Sequence, residues 1–180
     1  VLQYAHSVEE RHVKTIQIAP AKAPKAGKPV VGFIGAGNYS SRVLIPAFTA
    51  AQASLHTISS AGGTNSVVHG TRNGFANATS DTSALIATPE INTVAIVTRH
   101  NSHASLAAAA LRAGKNVFVE KPLALTHEEL ADVKTAHEES GQRLIVGFNR
   151  RFAPQIVTMK KLLEAVRALP PAYAPATPLG

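Results

Sequence analysis

The sequence predicts an α/β protein built on a doubly wound parallel sheet. Three observations carry that expectation. From Val30 onward, short apolar runs alternate with helical patterns, the alternation that gives a parallel sheet covered on both faces. Glycines, prolines and capping residues punctuate the boundaries between them. Parallel strands also need right-handed crossovers, which leaves a doubly wound sheet as the consistent topology.

The elements follow in order. Val30–Ile34 reads as a buried strand, and a glycine turn leads from it into a helical stretch from Tyr39 to Ala51. Leu55–Ser59 is the second strand, and a Gly/Ser/Asn-rich turn separates it from a weakly patterned helix over Ser66–Arg72. Phe75–Ala78 is a short third strand. Asp81 is placed to cap the helical turn Thr82–Ala87, which Pro89 ends. Val94–Thr98 is a strongly apolar fourth strand. Ser102–Ala113 is rich in alanine and leucine, and Gly114 is placed to end that helix in the left-handed conformation. Asn116–Glu120 is the fifth strand. Thr126 with Glu129 forms a capping box for a helix that runs to Ser140 and stops at Gly141. Leu144–Phe148 is the sixth strand, and a helix from Pro154 to Leu169 precedes a proline-rich, frayed tail.

Residues 1–29 differ in character. Val1–Tyr4 and Val13–Ile18 alternate as short strands do, and the Pro/Ala/Lys/Gly stretch from Ala19 to Pro29 reads as a linker. The chain begins mid-pattern and without methionine, so the expected organisation is a segment of a longer protein. Residues 1–29 are then an upstream remnant and linker, 30–165 the main domain, and 166–180 a tail.

Composition removes several function classes. The chain has no cysteine, which excludes disulfide frameworks and thiolate zinc sites. Of its eight histidines, six are scattered without ligand spacing, and His100 and His103 could face the same way but have no evident third ligand, so no metal is expected. No apolar run approaches the roughly 20 residues of a membrane span, and no signal peptide opens the chain; a cytoplasmic protein is the default expectation. The net charge of +7 raises nucleic acid as a partner, yet the basic residues are scattered and aromatics make up only 5%. A stacking platform for bases needs rings interleaved with cations, so the basic excess reads as a solvated surface suited to a small anion.

The first chemical signal is Gly35-Ala36-Gly37-Asn38-Tyr39-Ser40. Gly35 permits a tight turn out of the strand, and Gly37 lets the backbone come close to a pyrophosphate. The helix that follows offers unpaired N–H groups and partial positive charge to that anion. Ser40 occupies the third glycine position, where helix–strand packing demands a small residue. Strand, glycine turn and helix together predict a Rossmann-type dinucleotide site for NAD or NADP. NAD-preferring domains place an acid about 20 residues on, to grip the ribose 2′-OH. Here the second strand ends Ser59-Ser60-Ala61-Gly62-Gly63, and no acid occurs between Gly37 and Asp81. The sequence therefore leans towards NADP, with Ser60, Thr64, Asn65 or Arg72 as candidates to receive a 2′-phosphate.

Three further segments follow strand ends, where ligands of open α/β sheets bind. They are Thr98-Arg99-His100-Asn101-Ser102-His103, Glu120-Lys121-Pro122 and Asn149-Arg150-Arg151-Phe152. A desolvated lysine in such a crevice can hydrogen-bond a substrate oxygen or exchange a proton with it. These segments, with Gly35-Ala36-Gly37-Asn38 and Gly147-Phe148, resemble the glucose–fructose oxidoreductase/inositol dehydrogenase group of NAD(P)-dependent oxidoreductases, often called Gfo/Idh/MocA. The resemblance covers residues 30 to 165.

The resemblance implies that Lys121 contacts substrate beside the nicotinamide and that Glu120 is the neighbouring cofactor-side acid. It implies that Thr98 and His103 belong to a loop lining the cofactor, together with Arg99 and His100. Arg99 stands where the family places a proline. The Thr-Arg-His-Asn-Ser-His form is similar to a subgroup fused behind a zinc-type alcohol dehydrogenase-like domain, which would account for residues 1–29. The cofactor-binding set expected on this reading is Gly35, Gly37, Asn38, Tyr39, Ser60, Thr98, Arg99, His100, His103, Glu120, Lys121 and Arg150.

The family also implies a C-terminal substrate domain that lies beyond this chain. The expected function is hydride transfer between nicotinamide and a hydroxyl or carbonyl carbon of a sugar-like substrate, with little turnover by this segment alone. Homo-oligomerisation is left open. The alternative is a non-catalytic nucleotide-sensing module, against which Lys121 speaks, since a pure binder has no need of it.

Overall fold

Every residue of Val30–Ile34 is buried, because the strand sits at the centre of a sheet covered on both sides. The computed structural model describes residues 13–21, 23–24 and 26–167. The expected strand Val1–Tyr4 and the proline-rich tail lie outside those residues. The chain divides into two units, Val1–Gly147 and Phe148–Gly180.

The first unit holds one seven-stranded sheet. Its strands are β1 (Thr15–Gln17), β2 (Val30–Ile34), β3 (Ser54–Ser59), β4 (Asn77–Thr79), β5 (Thr93–Ile96), β6 (Asn116–Glu120) and β7 (Leu144–Gly147), in the order β1-β4-β3-β2-β5-β6-β7. All neighbours from β4 to β7 are parallel. The helices are α1 (Ile45–Ala50), preceded by a π-helical turn over Ser40–Leu44, then α2 (Thr64–Asn73), α3 (Thr82–Ala87), α4 (His103–Arg112) and α5 (His127–Ser140).

Side chains alternate across the strands and divide the core in two. Val31 and Phe33 of β2 join Ile58, Phe75, Ala78 and Ala95 on one face, under Leu44 and Ile45. Ile34 joins Val94, Ile96, Val117 and Val119 on the other, under Leu85, Leu111 and Val133. Phe33 packs edge-on against Phe48 and Phe75 at 5.2 and 5.8 Å, a favoured arrangement of ring quadrupoles. Such two-sided burial is what apolar strand runs require.

The caps form where local sequence placed them. Asp81 Oδ1 accepts from the Ala84 N–H at 3.0 Å. Thr126 Oγ1 accepts from the Glu129 N–H at 3.2 Å, and the Glu129 carboxylate accepts from the Leu125 N–H at 2.7 Å. Gly141 ends α5 in the left-handed conformation, as expected.

Three details depart from the sequence reading. The third strand forms at Asn77–Thr79 rather than Phe75–Ala78, because the Phe75 N–H is taken by Gly70 O at 3.0 Å and its ring by the core. The first helix opens as a π turn: Pro46 lacks an N–H, and its ring crowds the carbonyl of Arg42, which a wider turn relieves. The sheet also gains a seventh strand. Thr15–Gln17, expected in the foreign N-terminal stretch, pairs antiparallel with β4 at the sheet edge.

The second unit contains a 3-10 turn over Asn149–Phe152 and the helix α6 (Pro154–Arg167).

Candidate functional site

The chain runs outward from β2 through β3 to β4 on one side, and from β5 through β6 to β7 on the other. The carboxyl ends of β2 and β5 therefore flank the topological switch point, where a crevice opens.

Gly35 follows β2 at that point with φ +107°. Its N–H donates to Ser59 O at 2.9 Å, tying the turn to the end of β3. A Cβ there would stand 2.3 Å from the Val97 carbonyl oxygen, so only glycine fits. Gly37 is the opposite case, since a Cβ there would meet nothing within 4 Å. Its open face lies at the start of the helix, where the first N–H groups lack partners within the helix. Ser41 N–H donates to Gly37 O at 3.0 Å and begins the ladder. Asn38 and Tyr39 are exposed beside it. Ser40 is fully buried, and its Oγ has no hydrogen-bond partner, as expected of a packing position better suited to glycine. Open space at Gly37 beside the start of a helix is what a dinucleotide's pyrophosphate requires.

At the end of β3, Ser60 Oγ accepts from the Ser66 N–H at 3.0 Å and so caps α2. Its own O–H still has a proton to donate. The next acid in the chain, Asp81, is committed elsewhere. The Ala84 N–H and the Lys14 ammonium hold its carboxyl below the ordinary value of 3.8.

The loop after β5 is folded on itself. Thr98 Oγ1 and Ser102 Oγ lie 2.7 Å apart, and Ser102 Oγ donates to Arg99 O at 2.9 Å. Arg99 and His100 are exposed, while His103 is completely buried. Its Nδ1 lies 2.8 Å from Pro122 O and its Nε2 3.1 Å from Thr98 O. The ring thus faces the backbone of two loops and presents nothing to a ligand. Lys121 is exposed, not desolvated as the sequence reading supposed, and its peptide bond to Pro122 is cis.

Glu120 is buried, and its carboxylate occupies the place where a side chain on Gly147 would stand: a Cβ there would be 2.7 Å from Oε1. Gly147 was quoted in the family resemblance, but sequence reasoning gave it no place beside Glu120. Its register partner across the sheet is Glu120, which no local pattern reveals.

Gly35, the Thr98–His103 loop and the Glu120–Pro122 turn are brought together at one end of the sheet. Arg150 belongs to the second unit, where it is exposed and its carbonyl accepts from the Ala153 N–H at 3.0 Å. In the same unit Arg151 lies 5.8 Å from the Phe148 ring centroid and 5.5 Å from that of Phe152. A cavity of about 320 Å³ opens at the opposite ends of β2 and β3, beside Val30, Ser54 and Leu55, away from Gly35, the Thr98–His103 loop and the Glu120–Pro122 turn. Among the described residues no cluster of three His, Asp or Glu could hold a metal ion, and no helix is long and apolar enough to cross a membrane.

Comparison with known proteins gives consistent findings. The family described as oxidoreductase family, NAD-binding Rossmann fold (GFO_IDH_MocA) matches residues 30–148. Levoglucosan dehydrogenase of Pseudarthrobacter phenanthrenivorans is 41% identical over 93 residues, 52% of this chain and 24% of that protein. Inositol 2-dehydrogenase/D-chiro-inositol 3-dehydrogenase of Lactiplantibacillus plantarum is 37% identical over 81 residues, 44% of this chain and 23% of that protein. The crystal structure of apo scyllo-inositol dehydrogenase from Lactobacillus casei superimposes with a TM-score of 0.69 at 24% identity, over 78% of this chain and 42% of that one; at that identity the likeness is one of fold. The chain spans about a quarter of the length of these two relatives.

Proposed function

The chain belongs to this oxidoreductase family, whose Rossmann domains bind NAD or NADP, and we propose that it is the cofactor-holding part of a sugar or cyclitol dehydrogenase. The observation that carries the reading is the pair of glycines at the switch point: Gly35 pressed onto the Val97 carbonyl, Gly37 open to an incoming anion.

The nicotinamide, when bound, supplies the hydride chemistry. The residues of this chain bind and orient it. Gly35, Gly37, Asn38 and Tyr39 receive the pyrophosphate at the helix start. Thr98, Arg99 and His100 line the crevice beside it, and Glu120 stands on the cofactor side of Lys121. Lys121, once cofactor and substrate cover it, hydrogen-bonds the substrate oxygen, giving it a proton as the ammonium or taking one as the neutral amine. The relatives are named for levoglucosan and inositols, ring polyols whose hydroxyl carbons suit this chemistry. Ser60, at the end of a strand followed by no acid before Asp81 in the sequence, supports acceptance of a 2′-phosphate and hence a lean towards NADP.

The remaining substrate contacts belong, on this reading, to a second domain of the parent enzyme. The same proposal assigns residues 1–29 to the junction with an upstream zinc-type alcohol dehydrogenase-like domain. Lys121→Ala in the full-length enzyme is expected to lower kcat/KM at least tenfold, roughly 1.4 kcal/mol of transition-state stabilisation. Unchanged kinetics would refute the role given to Lys121; nucleotide binding with no turnover by the full-length wild type would instead favour a sensing module.

A further inference from the structure

We propose that His103 is a positioning residue whose imidazole straps the loop after β5 to the turn after β6, and so sets where Lys121 stands. The proposal rests on the function assigned to Lys121 above, but its geometry stands independently. His103 is the first residue of α4 and is fully buried. Its two ring nitrogens face two carbonyl oxygens from different strand ends, Pro122 O at 2.8 Å and Thr98 O at 3.1 Å. Carbonyl oxygens only accept, so each contact is made through a ring N–H, one of them at a time in the neutral ring and both in the imidazolium.

What the strap holds is decided by what adjoins each carbonyl. Proline fixes its own φ, so a held Pro122 carbonyl leaves few free dihedrals between the strap and the Lys121 backbone. On the other side of Lys121, the Glu120 carboxylate is seated in the space above Gly147. Lys121 is thus bracketed by two fixed neighbours while its own side chain stays exposed. At the Thr98 end, the Ser102 hydroxyl closes the loop through Thr98 Oγ1 and Arg99 O. Holding the Thr98 carbonyl therefore places Arg99 and His100 as well, and the His100 ring lies edge-on to His103 at 5.7 Å between centroids. One buried side chain couples the loop expected beside the cofactor to the lysine expected beside the substrate. An apolar residue of similar volume fills the space but donates to neither loop; glutamine fills it and keeps a donor.

The experiment is nuclear magnetic resonance on the ¹⁵N-labelled 180-residue protein as wild type, His103→Leu and His103→Gln. In the wild type, the His103 ring protons are expected to show Overhauser contacts to both Thr98 and Pro122. In His103→Leu, the amide signals of Arg99–Ser102 and of Lys121 and Leu123 should move together, while those of β3 and α5 stay in place. His103→Gln should return at least one of the two sets. NADPH titration should show affinity at least threefold weaker in the leucine variant and recovered in part by glutamine. Movement of only one loop, or of neither, would overturn the strap, as would a wild-type ring in contact with one loop alone, a reading that survives if the leucine variant fails to fold. Wild-type protein that binds neither NADPH nor NADH would instead strike at the proposed function, with the amide signals still deciding the role of His103.

Discussion

Gly35 and Gly147 both make room, but for neighbours that differ in their freedom to move. At Gly35 the obstacle to a Cβ is the Val97 backbone carbonyl at 2.3 Å, and φ is +107°. At Gly147 it is first the end of the Glu120 side chain, at 2.7 Å. Gly35→Ala is expected to lose on the order of 3 kcal/mol from backbone strain and overpacking together. Gly147→Ala should lose distinctly less in a thermal melt and should displace the Glu120 carboxylate, seen as a shift of its side-chain carbon resonance. A reversed order of stabilities would contradict this assignment of space. The two glycines also differ in how far sequence reveals them. Gly35 sits in a local pattern of turn and helix whose chemistry is readable residue by residue. Gly147 has its reason on the neighbouring strand, and that pairing exists only once β6 and β7 are in register. His103 was read as part of a cofactor-lining loop, but its burial and its contact with Pro122 depend on a turn distant in sequence.

Short-range chemistry decides most of the elements. The caps of α3 and α5 bind donors three residues on, so Asp81 and Thr126 were legible from sequence. The π turn was not read, although Pro46 stands inside the helix expected from Tyr39 to Ala51, where its missing N–H and crowded Arg42 carbonyl require a departure from α geometry; no local signal says which departure is taken. Asp81 gives the element its pH dependence. The Ala84 N–H first, and then Lys14, lower its carboxyl in the folded state below the ordinary 3.8. The stabilisation is therefore complete above the unfolded value and is lost as pH falls below it towards the folded one. From about pH 5 to about pH 3, the melting temperature of the wild type should fall further than that of Asp81→Asn, which keeps a cap but no charge. Glu128 and Asp132 are also lowered, by the Glu128 backbone N–H and Thr126 and by Arg112 respectively; they titrate in both proteins and cancel in the comparison. Parallel loss in the two would remove Asp81 from the acid response.

At the scale of the whole molecule, alternating apolar runs and right-handed crossovers were enough to foretell the parallel sheet and its switch point. A strand within Val13–Ile18 was legible, but its place at the sheet edge was not, because Thr15–Gln17 pairs with Asn77–Thr79, a contact between segments whose intervening chain gives no sign of it. The site lies where the sheet order puts β2 beside β5, and its proposed partner is an anion that the chain's net charge of +7 favours at long range.

The direct measurement is calorimetric titration of the 180-residue protein with NADPH and NADH, beside the variant Gly37→Val. Saturable binding is predicted for the wild type, with NADH no more than tenfold tighter than NADPH, and no measurable heat for the variant, whose side chain fills the open face above the helix start. Undiminished binding by Gly37→Val, or none by the wild type, would contradict a dinucleotide site at this turn.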